Sequence, residues 1–341
     1  MKKLLAIGVV AALSLGLAGC NMAASGGTGG ATKDNPVTLK VGDNWGATHP
    51  TAAAIDKVFK TEVEAKTNGA VKVDVYHSGT LGNEADLFDG VRNGTIEVVV
   101  VGSSMNQEFP MMLISDWPFL YRDVEHAKKV WTGDIADEVN AKFEEKFPTV
   151  EVLGWAPNSA RTFTSNKPLT KVEDFAGQKF RMPNNPIHVG LAQNLGASSQ
   201  VIPLGELFSS LETGVVDGQD NGMVTVVSEG LYEVQKYVYE TNHIVATLEF
   251  IASDAALARL SPEQQQIVKD AAAKASAQAW DDYIASIDKD REFLRSKGLT
   301  VTELTDADRE KLIGMTKPVT DKLLSENDWA PALTEKIRAV K

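Results

Sequence analysis

The chain has 341 residues, of which 43% are hydrophobic and 23% are charged, proportions that are normal for a globular protein large enough to form two domains. Its formal net charge of −12 argues against a nucleic-acid-binding surface and against general attraction to anionic lipid, since both need basic patches. An acidic protein that binds an anion must therefore bind it through local arginines.

Residues 1–19 have the features of a secretory signal peptide. Two lysines precede an apolar run from Leu4 to Leu17, which is too short to span a bilayer comfortably. The run ends in the sequence LAGC, which is similar to a bacterial lipobox in which Cys20 becomes the lipid-modified first residue. The alternative is an ordinary signal peptide with an incidental cysteine. Because Cys20 is the only cysteine, no disulfide and no cysteine-based metal site is expected.

A flexible tether is predicted for residues 20–36, which are rich in Gly, Ala, Ser and Thr. The next 65 or so residues predict an α/β domain, because strands and helices alternate. Alternating or apolar runs predict strands at Val37–Gly42, Val71–Tyr76 and Ile96–Val101. Apolar faces and end signals predict helices that begin after His49 and after Asn83.

The same alternation restarts near Arg161, after a helix at 134–146 and a strand at Val150–Trp155. A strand is predicted at Phe180–Met182, a helix at Pro186–Leu195, another helix around residues 204–211, and then a Gly/Asp/Asn-rich loop that contains Asn221. These elements predict a second α/β domain. The apolar strand at 243–253 could cross back to the first domain.

A long helix is predicted from Ser261, which is followed by Pro262 and by Gln264 in the capping-box position. No helix breaker occurs before Gly298, so the helix would have roughly 36 residues and a length of about 54 Å. Such a helix exceeds either domain and is expected to brace both. Thr300–Leu304 is a final strand candidate. We assign residues 37–158 together with about 247–341 to domain I, and residues 159–246 to domain II.

Arg181 is the leading candidate for a ligand contact. It lies on the predicted strand Phe180–Met182, just before the helix that Pro186 opens, and α/β folds place ligands where strands end beside helix N-termini. The planar guanidinium group matches a carboxylate with two hydrogen bonds. The alternative is a surface arginine paired with Glu173 or Asp174.

Three more candidates lie in the same half of the chain. Arg161 follows the strand that ends near Trp155, so a second guanidinium could join the site. Asn221 precedes a glycine, and its alternative is a simple Asn-Gly turn. Asn185 precedes Pro186, and helix capping is a better explanation for it than ligand contact.

The predicted first domain offers a second set of candidates in the loops after its strands. Asn44 and His49 lie in the first of these loops, and Asn83 and Glu84 lie in the second. Capping alone explains Asn83. We expect these loops to determine which ligand binds. A glutamate there would suit an acid rich in hydroxyl groups better than a dicarboxylate, whose second carboxylate it would face.

The sequence gives little support for an enzymatic function. The five histidines are scattered without metal-ligand spacing, and no nucleophile elbow, P-loop or dinucleotide-binding glycine motif is present. Asp217 and Asp220 could form a carboxylate pair as in a sugar-active hydrolase, but they lie three residues apart in a predicted turn. We therefore expect a binding protein that is not an enzyme and that uses no cofactor.

Several segments together resemble the solute-binding proteins of tripartite ATP-independent periplasmic (TRAP) transporters, the dicarboxylate-binding (DctP) family. The resemblance covers roughly Val37 to Leu333. The segments that carry it are Leu81-Gly82 followed by Glu84, Gly177 to Pro183, Leu195-Gly196-Ala197, Leu211 to Asn221, Tyr232 to Tyr237, and Thr241-Asn242-His243. The combination of these segments is specific for the family, although no single segment would be.

The resemblance implies two α/β domains that close over a ligand about a hinge, with a long helix across both. It implies that Arg181, on the Gly-x-Lys-x-Arg strand, clamps the ligand carboxylate with help from Arg161 and Asn221. It also implies a receptor on the outer side of the cytoplasmic membrane that hands an organic acid to TRAP membrane subunits, and the lipobox-like sequence at Cys20 predicts that a lipid anchors this receptor. A binding protein that serves a chemoreceptor is the alternative. The chain departs from many members at Glu97 and at Asn221-Gly222, while Asn185-Pro186 is similar to members that bind sugar acids.

Overall fold

The computed structural model describes residues 30–102 and 108–341. The predicted signal peptide, Cys20 and most of the predicted tether therefore lie outside the described residues. Within the described ranges, no helix is both long enough and apolar enough to cross a membrane.

Strands and helices alternate along most of the described chain. The strands are β1 (Val37–Gly42), β2 (Val71–Tyr76), β3 (Val98–Val101), β4 (Val150–Ala160), β5 (Thr162–Ser165), β6 (Lys179–Met182), β7 (Ser198–Val201), β8 (Gly218–Asn221), β9 (Tyr237–Glu240), β10 (Val245–Ser253) and β11 (Thr300–Glu303). The helices are α1 (Pro50–Ala54), α2 (Thr61–Lys66), α3 (Glu84–Arg92), α4 (Val124–Trp131), α5 (Asp134–Lys146), α6 (Pro186–Asn194), α7 (Leu207–Glu212), α8 (Met223–Ser228), α9 (Asp254–Leu257), α10 (Pro262–Ser296), α11 (Asp306–Glu326) and α12 (Ala330–Ala339). A π-helical stretch, Ile55–Lys60, joins α1 to α2, and 3₁₀ turns cover Pro110–Asp116, Val172–Phe175, Leu204–Glu206 and Leu231–Glu233.

The first sheet has the strand order β2-β1-β3-β10-β4. Strand β1 runs parallel to both β2 and β3, whereas β10 runs antiparallel to β3 and to β4. All four residues of β3 are buried, which explains why the sequence there is a continuous apolar run. The predicted alternating unit of the first domain is therefore present, with helices packed on its sheet.

The second sheet has the strand order β11-β9-β5-β8-β6-β7. Strand β11 pairs in parallel with β9, from Thr300 opposite Tyr237 to Glu303 opposite Glu240. Helix α11, which follows β11, packs against α6 of the same domain. Strand β11 therefore lies in the second sheet and not in the first, whereas Ala330, Leu333 and Ile337 of α12 pack in the first-domain core.

Two antiparallel strands connect the sheets and form the hinge. Strands β4 and β10 pair over their whole length, from Ala160 opposite Val245 to Val150 opposite Ser253. Only Arg161 separates β4 from β5 of the second sheet, and residues 241–244 lead from β9 back to β10. The predicted two-domain α/β fold with hinge strands is confirmed.

Helix α10 spans both domains, as the sequence predicts. Its 35 residues begin with a complete capping box between Ser261 and Gln264. The helix packs on β4, α1 and α2 in the first domain and on α8 and β11 on the other side. At the hinge, Trp280 donates from Nε1 to the carbonyl of Trp155 across 2.9 Å, and the hydroxyl of Tyr283 accepts from the amide of Ala160.

The last part of the predicted tether is in contact with the folded body. The carbonyl of Ala31 accepts a hydrogen bond of 2.7 Å from Nε2 of Gln264. A Cβ atom at Gly30 would lie 2.4 Å from the backbone nitrogen of Ser261, so only glycine fits there. Residues 30 and 31 are therefore held against the folded body, because the start of α10 offers polar groups that bind this backbone.

Candidate functional site

A cavity of about 410 Å³ lies between the two domains beside the hinge strands. Its first wall is formed by residues that follow β1, β2 and β3, and its second wall by residues at the ends of β6, β7 and β8. These are the carboxyl ends of parallel strands, where α/β folds place their ligands. The predicted site residues that line it are Asn44, Asn83, Glu84, Arg161, Arg181, Asn185 and Asn221.

Arg181 lies on β6 between β7 and β8 and is only 4% exposed. Its Nε atom donates to the carbonyl of Ile202 across 2.7 Å, which holds the guanidinium group in place. No carboxylate of the described residues forms an ion pair with it. The surface alternative does not hold, since the side chain is buried and Glu173 pairs with Lys311. Burial and the nearby Arg161 lower the pKa of Arg181 to about 10, so the group is still charged at neutral pH.

Arg161, in contrast, has a carboxylate partner. Its Nε donates to Oδ1 of Asp220 across 2.9 Å, and its Nη2 donates to the backbone carbonyl of the same residue. Burial raises the pKa of the Asp220 carboxyl, but Arg161 and His188 outweigh burial and hold the pKa well below its usual range. The charge of Arg161 is therefore largely compensated, whereas Arg181 is attracted by Glu84 and Asp220 without forming an ion pair with either of them.

A chain of buried polar side chains continues from Asp220 towards the first domain. Nδ1 of His188, on α6, lies 2.6 Å from Oδ2 of Asp220, and its Nε2 lies 3.6 Å from Oδ2 of Asp116. The same oxygen of Asp116 accepts from Nδ2 of Asn185 across 2.6 Å. Sequence reasoning missed Asp116, for which the available signal was one carboxylate in an otherwise apolar segment.

Asn221 and its neighbours lie in a strand rather than in the predicted loop. All four residues of β8 are buried, and Asn221 pairs with Thr162 of β5. Its Nδ2 donates to Oε1 of Gln219 across 2.7 Å. The prediction was wrong because the composition of GQDNG is that of a turn, whereas pairing with β5 and β6 decides the backbone here.

Asp217 and Asp220 do not share a site with each other. Asp217 precedes β8 and forms an ion pair of 2.8 Å with Lys167, while Asp220 pairs with Arg161. Each carboxylate is committed to a basic partner, which does not suit a pair that exchanges protons with a sugar. Among the described residues, no group of three or more His, Cys, Asp or Glu side chains could hold a metal ion.

The first wall of the cavity is rich in hydrogen-bond acceptors. Asn44 donates from Nδ2 to the carbonyl of Gly82 across 3.0 Å, and its buried Oδ1 has no hydrogen-bond partner among the described residues. Oδ1 of Asn158 is also buried and also has no hydrogen-bond partner among the described residues. Glu84 adds a carboxylate, of which Oε1 accepts from the amide of Gly102 across 2.6 Å.

The remaining predicted residues support the site through backbone contacts. His49 caps α1, lies 3.2 Å from the carbonyl of Asn158 through Nε2, and is fully buried outside the cavity lining. Burial lowers the pKa of His49 to about 4, so the ring is neutral. His49 does not line the cavity, and both of its ring nitrogens contact protein groups. Asn83 and Asn185 line the cavity but cap α3 and α6, as the alternative explanation for each expected.

Comparison with known proteins identifies the family. Residues 41–327 match the family described as "Bacterial extracellular solute-binding protein, family 7", or DctP. The 2,3-diketo-L-gulonate-binding periplasmic protein YiaO of Escherichia coli is 33% identical over 221 residues, which are 64% of this chain and 67% of that protein.

Solved structures agree with this match. A TRAP periplasmic solute-binding protein from Haemophilus influenzae with bound L-gulonate has a TM-score of 0.85 and 31% identity, over 89% of this chain and 100% of that one. Another from a Sulfitobacter species with bound β-D-galacturonate has a TM-score of 0.82 and 27% identity, over 88% and 99%. The chain therefore belongs to the DctP family of TRAP transporter solute-binding proteins, as the sequence motifs indicated.

Proposed function

We propose that this protein is an extracytoplasmic receptor that captures a sugar acid, such as a hexuronate or an aldonate, through a clamp between Arg181 and the ligand carboxylate. The observation that carries the proposal is the buried guanidinium of Arg181, which lines a cavity between the two domains and forms no ion pair with a carboxylate of the described residues. A buried charge is costly unless it is paired, so a ligand carboxylate is the natural partner.

The second domain supplies the carboxylate-binding wall. The hydrogen bond from Nε of Arg181 to the carbonyl of Ile202 leaves the two terminal nitrogens of the guanidinium for the ligand. This geometry suits a bidentate contact with a planar carboxylate. Arg161 reinforces the positive potential although Asp220 compensates most of its charge, and the amide of Asn221 lines the same wall.

The first domain supplies the wall that favours hydroxyl groups. The buried Oδ1 atoms of Asn44 and Asn158 need donors, and hydroxyl groups of a sugar acid can provide them. The carboxylate of Glu84 also accepts hydrogen bonds, but it would repel the second carboxylate of a dicarboxylate. The ligands named for the three proteins described above, 2,3-diketo-L-gulonate, L-gulonate and galacturonate, are all monocarboxylates with several oxygens, which supports the sugar-acid proposal over a dicarboxylate.

Capture would proceed by closure of the two domains. Ligand contacts with the first-domain wall and with the second-domain wall exist together only when the cleft is closed. A ligand that makes both sets of contacts therefore shifts the population to the closed form. The closed receptor would then deliver the acid to TRAP membrane subunits for ion-coupled uptake. Lipidation of Cys20 would hold the receptor at the outer face of the cytoplasmic membrane or at the cell surface.

A thermal-shift panel followed by calorimetry tests the ligand class. The panel contains D-galacturonate, L-gulonate, succinate and neutral D-galactose. A ligand at 100 times its dissociation constant stabilises a protein by about 2.7 kcal/mol, which is readily measured. We expect the sugar acids to raise the melting temperature most and D-galactose to have no effect. A shift by D-galactose alone would overturn the carboxylate clamp, and a shift by succinate alone would overturn the sugar-acid assignment.

A further inference from the structure

Asp116 joins the two domains on the side of the cleft next to the ligand cavity. It ends the 3₁₀ turn Pro110–Asp116, whose Met112 and Ile114 are part of the first-domain core. The side chain is only 2% exposed and lines the cavity. Its Oδ2 atom contacts two residues of the second domain, Asn185 across 2.6 Å and His188 across 3.6 Å.

These contacts differ from the other polar contacts of His188 in one respect. Asp220, which lies 2.6 Å from Nδ1 of His188, belongs to the second domain together with His188 itself. Opening of the hinge leaves that contact in place. The contacts to Asp116 join the second domain to the first, so a rotation that moves α6 away from this turn breaks them. Leu113 of the same turn also packs with Ile187 and Leu191 of α6 and adds to the contact that must open.

We propose that Asp116 is a latch for the closed cleft, whose carboxylate holds the first turn of α6 through Asn185 and through a protonated His188. This inference rests on the proposed function, because it concerns the affinity of the same cavity. It makes Asp116 a positioning residue, which stabilises the closed form without being the group that clamps the carboxylate. It also means that closure of the cleft takes up a proton when His188 is neutral in the open form.

The charges around His188 support this coupling. Burial and Arg161 lower the pKa of His188, but Asp220 and Asp116 outweigh them, so the pKa in this structure lies above its usual value. The other titratable group that faces the ring is His243, whose pKa burial lowers. Opening removes the contribution of Asp116 and also relieves the burial that lowers the pKa of His188. The latch therefore requires that the loss of Asp116 outweighs this gain in solvation, which leaves the pKa of His188 lower in the open form than in the closed form.

The direction of the pH effect follows from linkage. A group with a higher pKa in the closed form favours closure at low pH, and this contribution is lost as the pH rises through the pKa of the closed form. Between the two pKa values the affinity for the ligand falls by up to about tenfold per pH unit. Without Asp116 the two values converge, so this part of the pH dependence disappears.

The test compares the full chain with the variant Asp116→Asn by calorimetry with D-galacturonate from pH 6 to pH 9. We expect Asp116→Asn to weaken binding at pH 6 by about 10-fold to 100-fold, because a hydrogen bond to a charged group is lost. We also expect its affinity to vary less with pH than that of the wild type. Asp89→Asn, the same change at an exposed position of α3, is the control and should behave as the wild type does.

Small-angle scattering of the ligand-free protein gives a second readout that does not depend on the ligand assignment. The wild type should be more compact at pH 6 than at pH 9, and Asp116→Asn should lose this difference. Failure of the wild type to bind any sugar acid would contradict the proposed function alone. Equal compactness of wild type and variant at both pH values, or unchanged pH dependence of binding in the variant, would overturn the latch.

Discussion

The guanidinium of Arg161 donates to the carboxylate of Asp220 across 2.9 Å, and both side chains are almost completely buried. This pairing separates the roles of the two arginines in the cleft. Arg161 completes the internal charge balance of the second domain, whereas Arg181 has no ion-pair partner within the described part of the chain.

Loss of the Arg181 guanidinium should weaken binding strongly. Truncation of one member of a buried charge pair costs about 2–5 kcal/mol, so Arg181→Ala should raise the dissociation constant for D-galacturonate roughly 30-fold to several thousand-fold. Arg181→Lys should recover only part of the affinity, because the ammonium group lacks the planar fork. Calorimetry measures both, with Arg295→Ala, a change at an exposed position of α10, as the control. Wild-type affinity in Arg181→Ala would contradict the clamp.

Loss of the Arg161 guanidinium should instead destabilise the fold. Arg161→Gln leaves the Asp220 carboxylate buried without its main partner, and breaking a buried pair in this way costs about 3–5 kcal/mol. Arg181→Gln should lower the stability of the ligand-free protein much less, since it leaves no carboxylate unpaired. Urea unfolding of the two variants without ligand checks the contrast. Equal losses of stability in the two variants would contradict the assignment of Arg161, and not Arg181, as the main partner of the Asp220 carboxylate.

Glu84 should contribute to the choice between sugar acids and dicarboxylates. In the proposed mode its carboxylate accepts from ligand hydroxyls and repels a second carboxylate, so Glu84→Gln should weaken binding of D-galacturonate and improve binding of succinate relative to it. A change of about tenfold in the ratio of the two dissociation constants is expected, since one hydrogen bond to a charged group is worth roughly 1.5–3 kcal/mol. Competition calorimetry gives this ratio. An unchanged ratio would remove Glu84 from the list of specificity residues.

His77 should make folding stability depend on pH. Its Nδ1 lies 2.6 Å from Oδ2 of Asp43, just before the cleft residue Asn44, and its Nε2 lies 3.0 Å from Asp56. The hydrogen bond to Asp43 raises the pKa of His77 to about 9, against about 6.5 in an unfolded chain. A raised pKa in the folded state stabilises fully below the unfolded value, and this stabilisation is lost as the pH rises from about 6.5 through 9.

The variant His77→Gln isolates this effect. Burial also raises the pKa of Asp43, so the wild type alone would not identify the titrating group. We expect the difference in the free energy of unfolding between wild type and His77→Gln to shrink between pH 6.5 and pH 9.5 in urea titrations. A difference that stays constant over this range would show that His77 does not carry a stabilising proton.

Local signals in the sequence predicted many elements of this fold. Strands Val37–Gly42 and Val71–Tyr76 and helix α5 follow from alternation and periodicity, and the capping box at Ser261 predicted the start of the long helix. Each of these signals depends on residues within a few positions of one another. Arg181 could be singled out in the same way, because a strand end and a helix start flank it.

The features that sequence reasoning missed depend on contacts between distant segments. Asp116 and His188 are separated by many residues and meet only because the two domains face each other across the cleft. Strand β8 has the composition of a turn, and its pairing with β5 overrides this local preference. The pairing of β11 with β9 could not be predicted for the same reason, since β9 lies before the long helix in the chain.

The long helix α10 restricts how the receptor can move. It packs on β4, α1 and α2 in the first domain, while Leu294 near its end is buried in a second-domain cluster. An α-helix resists stretching, because each of its turns is held by backbone hydrogen bonds. The two domains therefore cannot slide apart along its axis, and the motion left to them is mainly a rotation. Ligand capture in this protein therefore depends mainly on the angle between the two domains. A mutation that alters the packing of α10 should change that angle without altering the residues that line the cavity.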